Sequence, residues 1–220
     1  MGIEVINFDE TPSLMSRFIR ELRDVTIQHD PMRFRRNLER IGEIMAYEIS
    51  KRMRHVQNCI KTPMADIVVT QPEEKVVLAT ILRAGLPFHQ GFLNYFDRAE
   101  NAFVSAYRKY KEKGDKFDVL IEYLASPDIT GKTLILVDPM LATGSSMELG
   151  YRALLQNGTP EKLHVASVIA SRKAIDYITG VLPHEKTTIW TGAIDPEINS
   201  HSYIIPGLGD AGDLSFGEKL

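Results

Sequence analysis

One cysteine, Cys59, stands in a chain of 220 residues. No disulfide can form within the chain, and that usage suits a reducing compartment. No stretch reaches the roughly 18 apolar residues that a membrane-spanning helix requires. Met1 to Glu10 carries three acids and no apolar run, so no secretory leader is expected there. A strong charge of either sign is also missing. Against 29 Asp and Glu stand 26 Lys and Arg, a formal net charge of −3, which gives no general pull toward nucleic acid or an acidic membrane. The six histidines, His29, His55, His89, His164, His184 and His201, show no zinc-enzyme spacing such as His-Glu-x-x-His. A metal held mainly by the protein is not expected. Repeats and low-complexity segments are lacking too. What remains is an ordinary globular composition, 44% hydrophobic and 25% charged, with length for one domain and a sizeable core. A cytoplasmic location is expected.

The apolar pattern changes character along the chain. Thr11 as cap and Pro12 in the first turn predict a helix whose apolar face is Leu14, Phe18, Leu22 and Val25. Asp30-Pro31 starts a second helix in the same way, with Phe34, Leu38, Ile41, Met45, Ile49 and Met53 at steps of three and four. Its other face is basic: Arg33, Arg35, Arg36, Arg40, Lys51, Arg52 and Arg54. An RNA-binding face is one reading. A solvated face is the other, because Glu39, Glu43 and Glu48 are interleaved.

From residue 64 strands alternate with helices. Strands are predicted at 67–69, 76–82, 103–107, 117–123 (near an edge, from its alternation), 133–137, 163–170 and 188–191. Helices are predicted at 84–98, 146–156 (closed by Asn157-Gly158 as a left-handed cap) and 173–179. This rhythm argues for an α/β fold with a mostly parallel sheet flanked by helices. The expected single domain comprises N-terminal helices over about 11–56, a core over about 64–192 and an irregular C-terminal hood over about 195–220.

The densest chemistry lies at Leu134-Ile135-Leu136-Val137-Asp138-Pro139-Met140-Leu141-Ala142-Thr143-Gly144-Ser145-Ser146. A buried strand runs into one acid, then into a small-residue turn before a helix. Ligands of open α/β sheets bind at such strand ends, and free N–H groups with the helix dipole favour an anion. Thr143, Ser145 and Ser146 add hydroxyls, and Gly144 lets an oxyanion approach the backbone. Asp138 suits hydroxyls or a metal, so a sugar phosphate satisfies both halves. The plainer alternative is a capped helix after a core strand. A P-loop is excluded, because no Lys stands in the turn. Gly207-Leu208-Gly209-Asp210-Ala211-Gly212 spells a dinucleotide fingerprint. Too few residues follow it for the ribose-binding acid, and NAD is rejected.

The stretch 137–146 resembles the phosphoribosyl pyrophosphate (PRPP) loop of phosphoribosyltransferases, and its Asp-Pro-Met-Leu-Ala-Thr-Gly form resembles that of uracil phosphoribosyltransferases. Three further segments agree in order. Ile81-Leu82-Arg83-Ala84-Gly85-Leu86 is similar to the family's pyrophosphate loop, Tyr107-Arg108 to a second arginine site, and Tyr203 to Asp213 to its uracil-binding segment. The resemblance covers nearly the whole chain, loosely before residue 30.

It implies transfer of the 5-phosphoribosyl group from PRPP to uracil, giving UMP and pyrophosphate. Asp138, Arg108 and Asp210 would be catalytic. PRPP would be held by Arg83, Arg108, Asp138, Pro139, Met140, Leu141, Ala142, Thr143, Gly144, Ser145, Ser146 and Asp210, with the 5-phosphate on Ala142 to Ser146. Uracil would meet Ile204, Gly209, Asp210 and Ala211. Mg2+ would arrive with PRPP, held mainly by substrate oxygens and water. Homo-oligomerisation is expected, GTP is a candidate effector, and neither a membrane nor a nucleic acid is an expected partner. The resemblance also implies a cis peptide at Arg83-Ala84. A mobile flap is expected over 108–118.

Two departures stand out. Ser145 and Ser202 occupy positions where the family often has Gly, and either would cost about 1 kcal/mol if its φ were positive. The rival functions are a uridine-nucleotide-sensing RNA-binding regulator on the same fold and a purine phosphoribosyltransferase.

Overall fold

The two most apolar runs form the middle of one sheet. In the computed structural model, which describes residues 2–73, 75–110 and 117–219 and side chains among them except at 106–110 and 117–121, these runs are β4 (Val76–Leu82) and β7 (Thr133–Val137). They are paired in parallel. A fully flanked parallel strand is buried on both faces and needs no polar alternation. The sheet order is β1 (Glu4–Asn7), β10 (Thr187–Asp195), β9 (Lys162–Ser171), β7, β4, β5 (Glu100–Tyr110) and β6 (Phe117–Ala125). A two-residue strand, β8 (Met140–Leu141), pairs with β9. Within this sheet every described pairing is parallel except β5 with β6, and β6 takes the edge place that the alternation at 117–123 suggested.

Successive side chains separate into two cores. Val77, Ala79, Leu134 and Leu136 pack with α4 (Ser145–Leu154) and α5 (Arg172–Val181). Val76, Leu78, Ile135 and Val137 pack with α1 (Leu14–Arg23), α2 (Pro31–Ser50) and α3 (Gly85–Leu93). Leu136 is fully buried, so truncating it to Ala should cost about 2–5 kcal/mol.

Helix α2 starts where its sequence says. The Asp30 carboxylate accepts from the N–H groups of Met32 (3.0 Å) and Arg33 (3.1 Å), with Pro31 at the first position. All six residues of its predicted apolar face are buried. The basic face stays partly exposed, and most of its charges are matched by acids. Arg33 pairs with Glu21, Arg36 with Glu39, Lys51 with Glu48, Arg52 with Glu4 and Arg54 with Glu73. Arg35 donates to the Ser215 carbonyl and Arg40 to Asn37. The RNA-binding reading loses its support.

Several expectations are corrected. Helix α1 is capped by Ser13 rather than Thr11, in a reciprocal box with Ser16. Its buried stripe is Met15, Ile19 and Leu22, while Leu14 and Val25 are exposed. Ahead of the N-terminal helices a short strand not expected from the sequence, β1, joins the sheet beside β10. β2 (His55–Lys61) pairs with β3 (Asp66–Pro72) as a separate antiparallel hairpin. Helix α3 ends at Leu93, because Asn94 donates to both Glu39 and Glu43 on α2. Gly158 closes a 3-10 turn at φ +118°, ψ −173°, which is not left-handed helical. The hood is more regular than expected: it holds the hairpin β11 (Glu197–Ile198) and β12 (Ile204–Ile205), then α6 (Ala211–Phe216). Among the described residues no helix is long and apolar enough to cross a membrane.

Candidate active site

A cavity of about 470 Å3 opens at the carboxyl ends of β4, β5 and β7, beneath the hood. Strand ends supply Ile81, Leu82, Ser105 and Asp138, and the first turn of α4 supplies Ser146. The hood supplies Gly209, Asp210 and Ala211. Parallel strands make this convergence possible, because their carboxyl ends share one edge of the sheet.

The turn between β7 and α4 is held rigidly from behind. The Pro139 carbonyl accepts from the N–H groups of Val168 and Ile169, both at 3.1 Å. Ser171 Oγ donates to the Ala142 carbonyl at 2.6 Å. Asp138 Oδ1 accepts from the Met140 N–H at 3.2 Å. Gly144 occupies the cap of α4 with φ +84° and no side-chain cap bond. With no side chain capping them, the N–H groups at the start of a helix are a place where an anion is favoured. Thr143 Oγ1 and Ser145 Oγ share a bond of 2.7 Å. Ser145 is the first residue of α4, an ordinary helical position, so the suspected cost does not arise there. Near the same end, Glu148 is held below the usual carboxylate range, chiefly by the Tyr177 hydroxyl against the effect of burial, with Arg152 adding to it.

Across the cavity, Arg83 lies at the end of β4. Its guanidinium donates to Asp213 Oδ1 (3.2 Å) and to the Gly217 carbonyl (3.1 Å). The cis peptide is Leu82–Arg83, one bond before the expected Arg83–Ala84.

In the hood, Asp210 caps α6, accepting from the N–H groups of Gly212 (2.8 Å) and Asp213 (3.0 Å). This gives Asp210 a structural duty beside any role toward a ligand. Ser202 does adopt positive φ, +64°, at a cost on the order of 1 kcal/mol. The β11–β12 turn holds it there, with Asn199 Oδ1 accepting from His201 (3.0 Å) and Tyr203 (2.9 Å). Ser202 lines the cavity.

Of the residues singled out in the sequence, Arg83, Asp138, Met140, Ala142, Ser146, Gly209, Asp210 and Ala211 line the cavity together. Pro139 and Leu141 are buried in the scaffold behind it, and Thr143, Gly144 and Ser145 lie outside the lining. Ile204 is buried, paired with Ile198 across the hairpin. The Arg108 side chain and the flap expected over 108–118 fall outside the described residues. Sequence reasoning missed Ser105, Asp213 and Lys219 on the lining. Ser105 had no signal beyond its place in a strand, whereas Asp213 ended a flagged segment without being given a role and Lys219 lay beyond it. Among the described residues no three His, Cys, Asp or Glu side chains cluster as metal ligands. Three carboxylates, Asp138, Asp210 and Asp213, do line one cavity, with Asp213 paired to Arg83. Such a donor set suits a cation that brings most of its oxygens with a substrate.

The sequence profile described as uracil phosphoribosyltransferase matches residues 12–218. A Porphyromonas gingivalis protein named uracil phosphoribosyltransferase is 64% identical over 218 residues, covering 99% of this chain and 100% of that protein. A Pyrococcus furiosus protein of the same name is 36% identical over 219 residues, covering 98% and 91%. A solved structure of an Aquifex aeolicus protein superposes with a TM-score of 0.85 at 27% identity, covering 97% of this chain and 98% of that one.

Proposed function

The chain belongs to the uracil phosphoribosyltransferase family, and from that membership and the cavity we propose how its residues divide the work. The enzyme transfers the 5-phosphoribosyl group of PRPP to uracil, giving UMP and pyrophosphate. A bond forms between uracil N1 and ribose C1 as the bond from C1 to the pyrophosphate oxygen breaks. Positive charge grows on the ribose and negative charge on the leaving group. The protein must therefore hold the ring, stabilise the leaving oxygens and exclude water.

Asp138 holds the ribose hydroxyls. The turn from Ala142 to Ser146 takes the 5-phosphate on its N–H groups and hydroxyls, with Pro139, Met140 and Leu141 shaping it from below. Arg83 and Arg108 bind the pyrophosphate, for which a guanidinium offers a rigid fork of donors. Gly209, Asp210 and Ala211 read the imide edge of uracil, largely through backbone, and Ile204 supports them. Asp210 would help to position a Mg2+ ion carried by PRPP, which would supply charge neutralisation for the leaving pyrophosphate. The observation that carries this assignment is the meeting of Arg83, Asp138, Ser146 and the segment 209–211 on one cavity.

The enzyme works as a homo-oligomer in the cytoplasm. Support for association comes from the β2–β3 hairpin, which projects Ile60, Met64, Ile67 and Val68 into solvent. Ile60 and Ile67 are cross-strand neighbours on one face, and exposed apolar pairs of this kind on a projecting hairpin suit a protein contact.

Incubation with PRPP, Mg2+ and a panel of bases tests the reading. UMP should form from uracil, with no nucleotide from hypoxanthine or adenine. A purine nucleotide as the main product would overturn it.

A further inference from the structure

The segment that meets the base has little structure of its own. It lies between a hairpin of two-residue strands and a helix of six residues. Its position must be set by what grips its flanks: besides Arg83 on the far side, which holds Asp213 and Gly217, the grip comes from elements outside the cavity.

The nearer flank is Gly207, two residues before Gly209. Both of its backbone polar groups are taken. Its N–H donates to Asp195 Oδ2 at 2.9 Å, and its carbonyl accepts from Arg23 Nη1 at 2.9 Å. Arg23 in turn forks onto both oxygens of Asp195, at 2.7 and 2.8 Å. The Asp195 side chain is only 7% exposed and that of Arg23 23%. Asp195 is the last residue of β10 and Arg23 the last of α1. One amino acid of the hood is thus tied to the end of a central strand and the end of a helix. Gly207 has φ +62°, and a Cβ there would stand 2.1 Å from the Ile204 carbonyl oxygen, so no other residue fits the clamp.

The grip continues one residue further. The Leu208 carbonyl accepts from Gln28 Nε2 at 3.1 Å, and the same nitrogen donates to the Leu22 carbonyl at 2.8 Å. Beyond the base-reading residues, Arg35 on α2 donates to the Ser215 carbonyl at 2.7 Å. Backbone on both sides of 209–211 is therefore held by side chains from the first two helices and the loop between them. None of Arg23, Gln28, Arg35 and Asp195 lines the cavity.

We propose that Arg23 and Asp195 are positioning residues for uracil: their fork, closed around Gly207, sets where Gly209–Ala211 meet the base. The inference rests on the reading that this segment binds uracil. It makes the N-terminal helices part of the specificity apparatus. A charge-assisted fork is stiffer than single neutral bonds, and a base read through backbone tolerates little displacement of that backbone.

Steady-state kinetics of the full-length enzyme, with uracil and PRPP varied separately, test the proposal. Arg23→Lys keeps the charge but loses the fork, and Asp195→Asn keeps the shape but loses the charge. Each should raise KM for uracil about tenfold, by loss of a hydrogen bond to a charged group, and leave KM for PRPP within about twofold. The double variant should do little more than either single one, since both act through Gly207. If KM for both substrates stays put while the melting temperature falls, the clamp is merely structural and the proposal is overturned. Failure of Arg23→Lys to fold would overturn it as well, by making the fork a demand of the fold. Hydrogen exchange of the wild-type protein with UMP separates the two readings. Without protection across 204–213, the base assignment itself fails. With protection there but unchanged uracil KM in the variants, the clamp fails alone.

Discussion

Gly144→Ala probes the phosphate turn most sharply. At φ +84° an L-residue costs about 1–2 kcal/mol. The added methyl has no room either: a Cβ would stand 2.7 Å from Ile178 Cγ2 and 2.8 Å from Tyr177 Cδ1, both on α5. Overpacking of this sort costs about 1–3 kcal/mol. The combined loss is about 2–5 kcal/mol, which for a chain of this size lowers the melting temperature by about 4–20 °C. Gly131→Ala is the matched control. Its φ is +67° with nothing within 4 Å of the added Cβ, so only the conformational cost applies, about 2–8 °C. Thermal unfolding of both variants, together with KM for each substrate, is the assay. The start of α4 should be pushed off α5, raising KM for PRPP much more than KM for uracil. If Gly144→Ala melts no lower than Gly131→Ala, the contact with α5 does not constrain the turn. If its KM for PRPP is unchanged, the turn does not hold the 5-phosphate.

Asp138→Asn keeps an oxygen for the Met140 N–H and should leave the melting temperature nearly unchanged. Turnover should fall about 10- to 100-fold through weaker bonds to the ribose hydroxyls, and normal turnover would remove Asp138 from the mechanism. Asp213→Asn releases Arg83 from an exposed ion pair, worth about 0–1 kcal/mol. KM for PRPP should fall by up to about fivefold at low salt, and a rise instead would place Asp213 among the groups that help PRPP bind. Burial lowers the His164 pKa from 6.5 to about 4, with Lys162 nearby adding to the effect. Its Nδ1 accepts from Trp190 Nε1 at 3.1 Å. The unfolded chain then binds a proton that the folded one refuses. Stability should fall with pH between about 6.5 and 4, by about 1.4 kcal/mol per unit. His164→Gln should flatten that slope in calorimetry at pH 7 and 5, and identical losses in both proteins would refute the assignment.

Much of the site was legible because its signals are local. A four-residue apolar run, an acid and a hydroxyl-rich turn state where a strand ends and a helix begins, and β7 and α4 formed there to within a residue. The Asp30-Pro31 start of α2 was legible for the same reason, since a cap bonds within three residues of itself. The face of α1 was not. Leu14 with Phe18, and Met15 with Ile19 and Leu22, are equally good helical stripes in the sequence. Packing against the sheet buried the second. β1, four residues long, carried too weak a pattern to be seen, and it exists because β10 offers it an edge. On the basic face of α2 the partners Glu39 and Glu48 were legible as interleaved acids, whereas Glu4, Glu21, Glu73 and the Ser215 carbonyl, distant in sequence, were not. Arg23 and Asp195, 172 residues apart, gave no sign of each other. Sequence alone determined which residues carry the chemistry, through periodicity, capping and turn residues that act over a few positions. Tertiary structure decided how those residues are aimed, because a buried charge must find its partner wherever the fold brings one within hydrogen-bond reach.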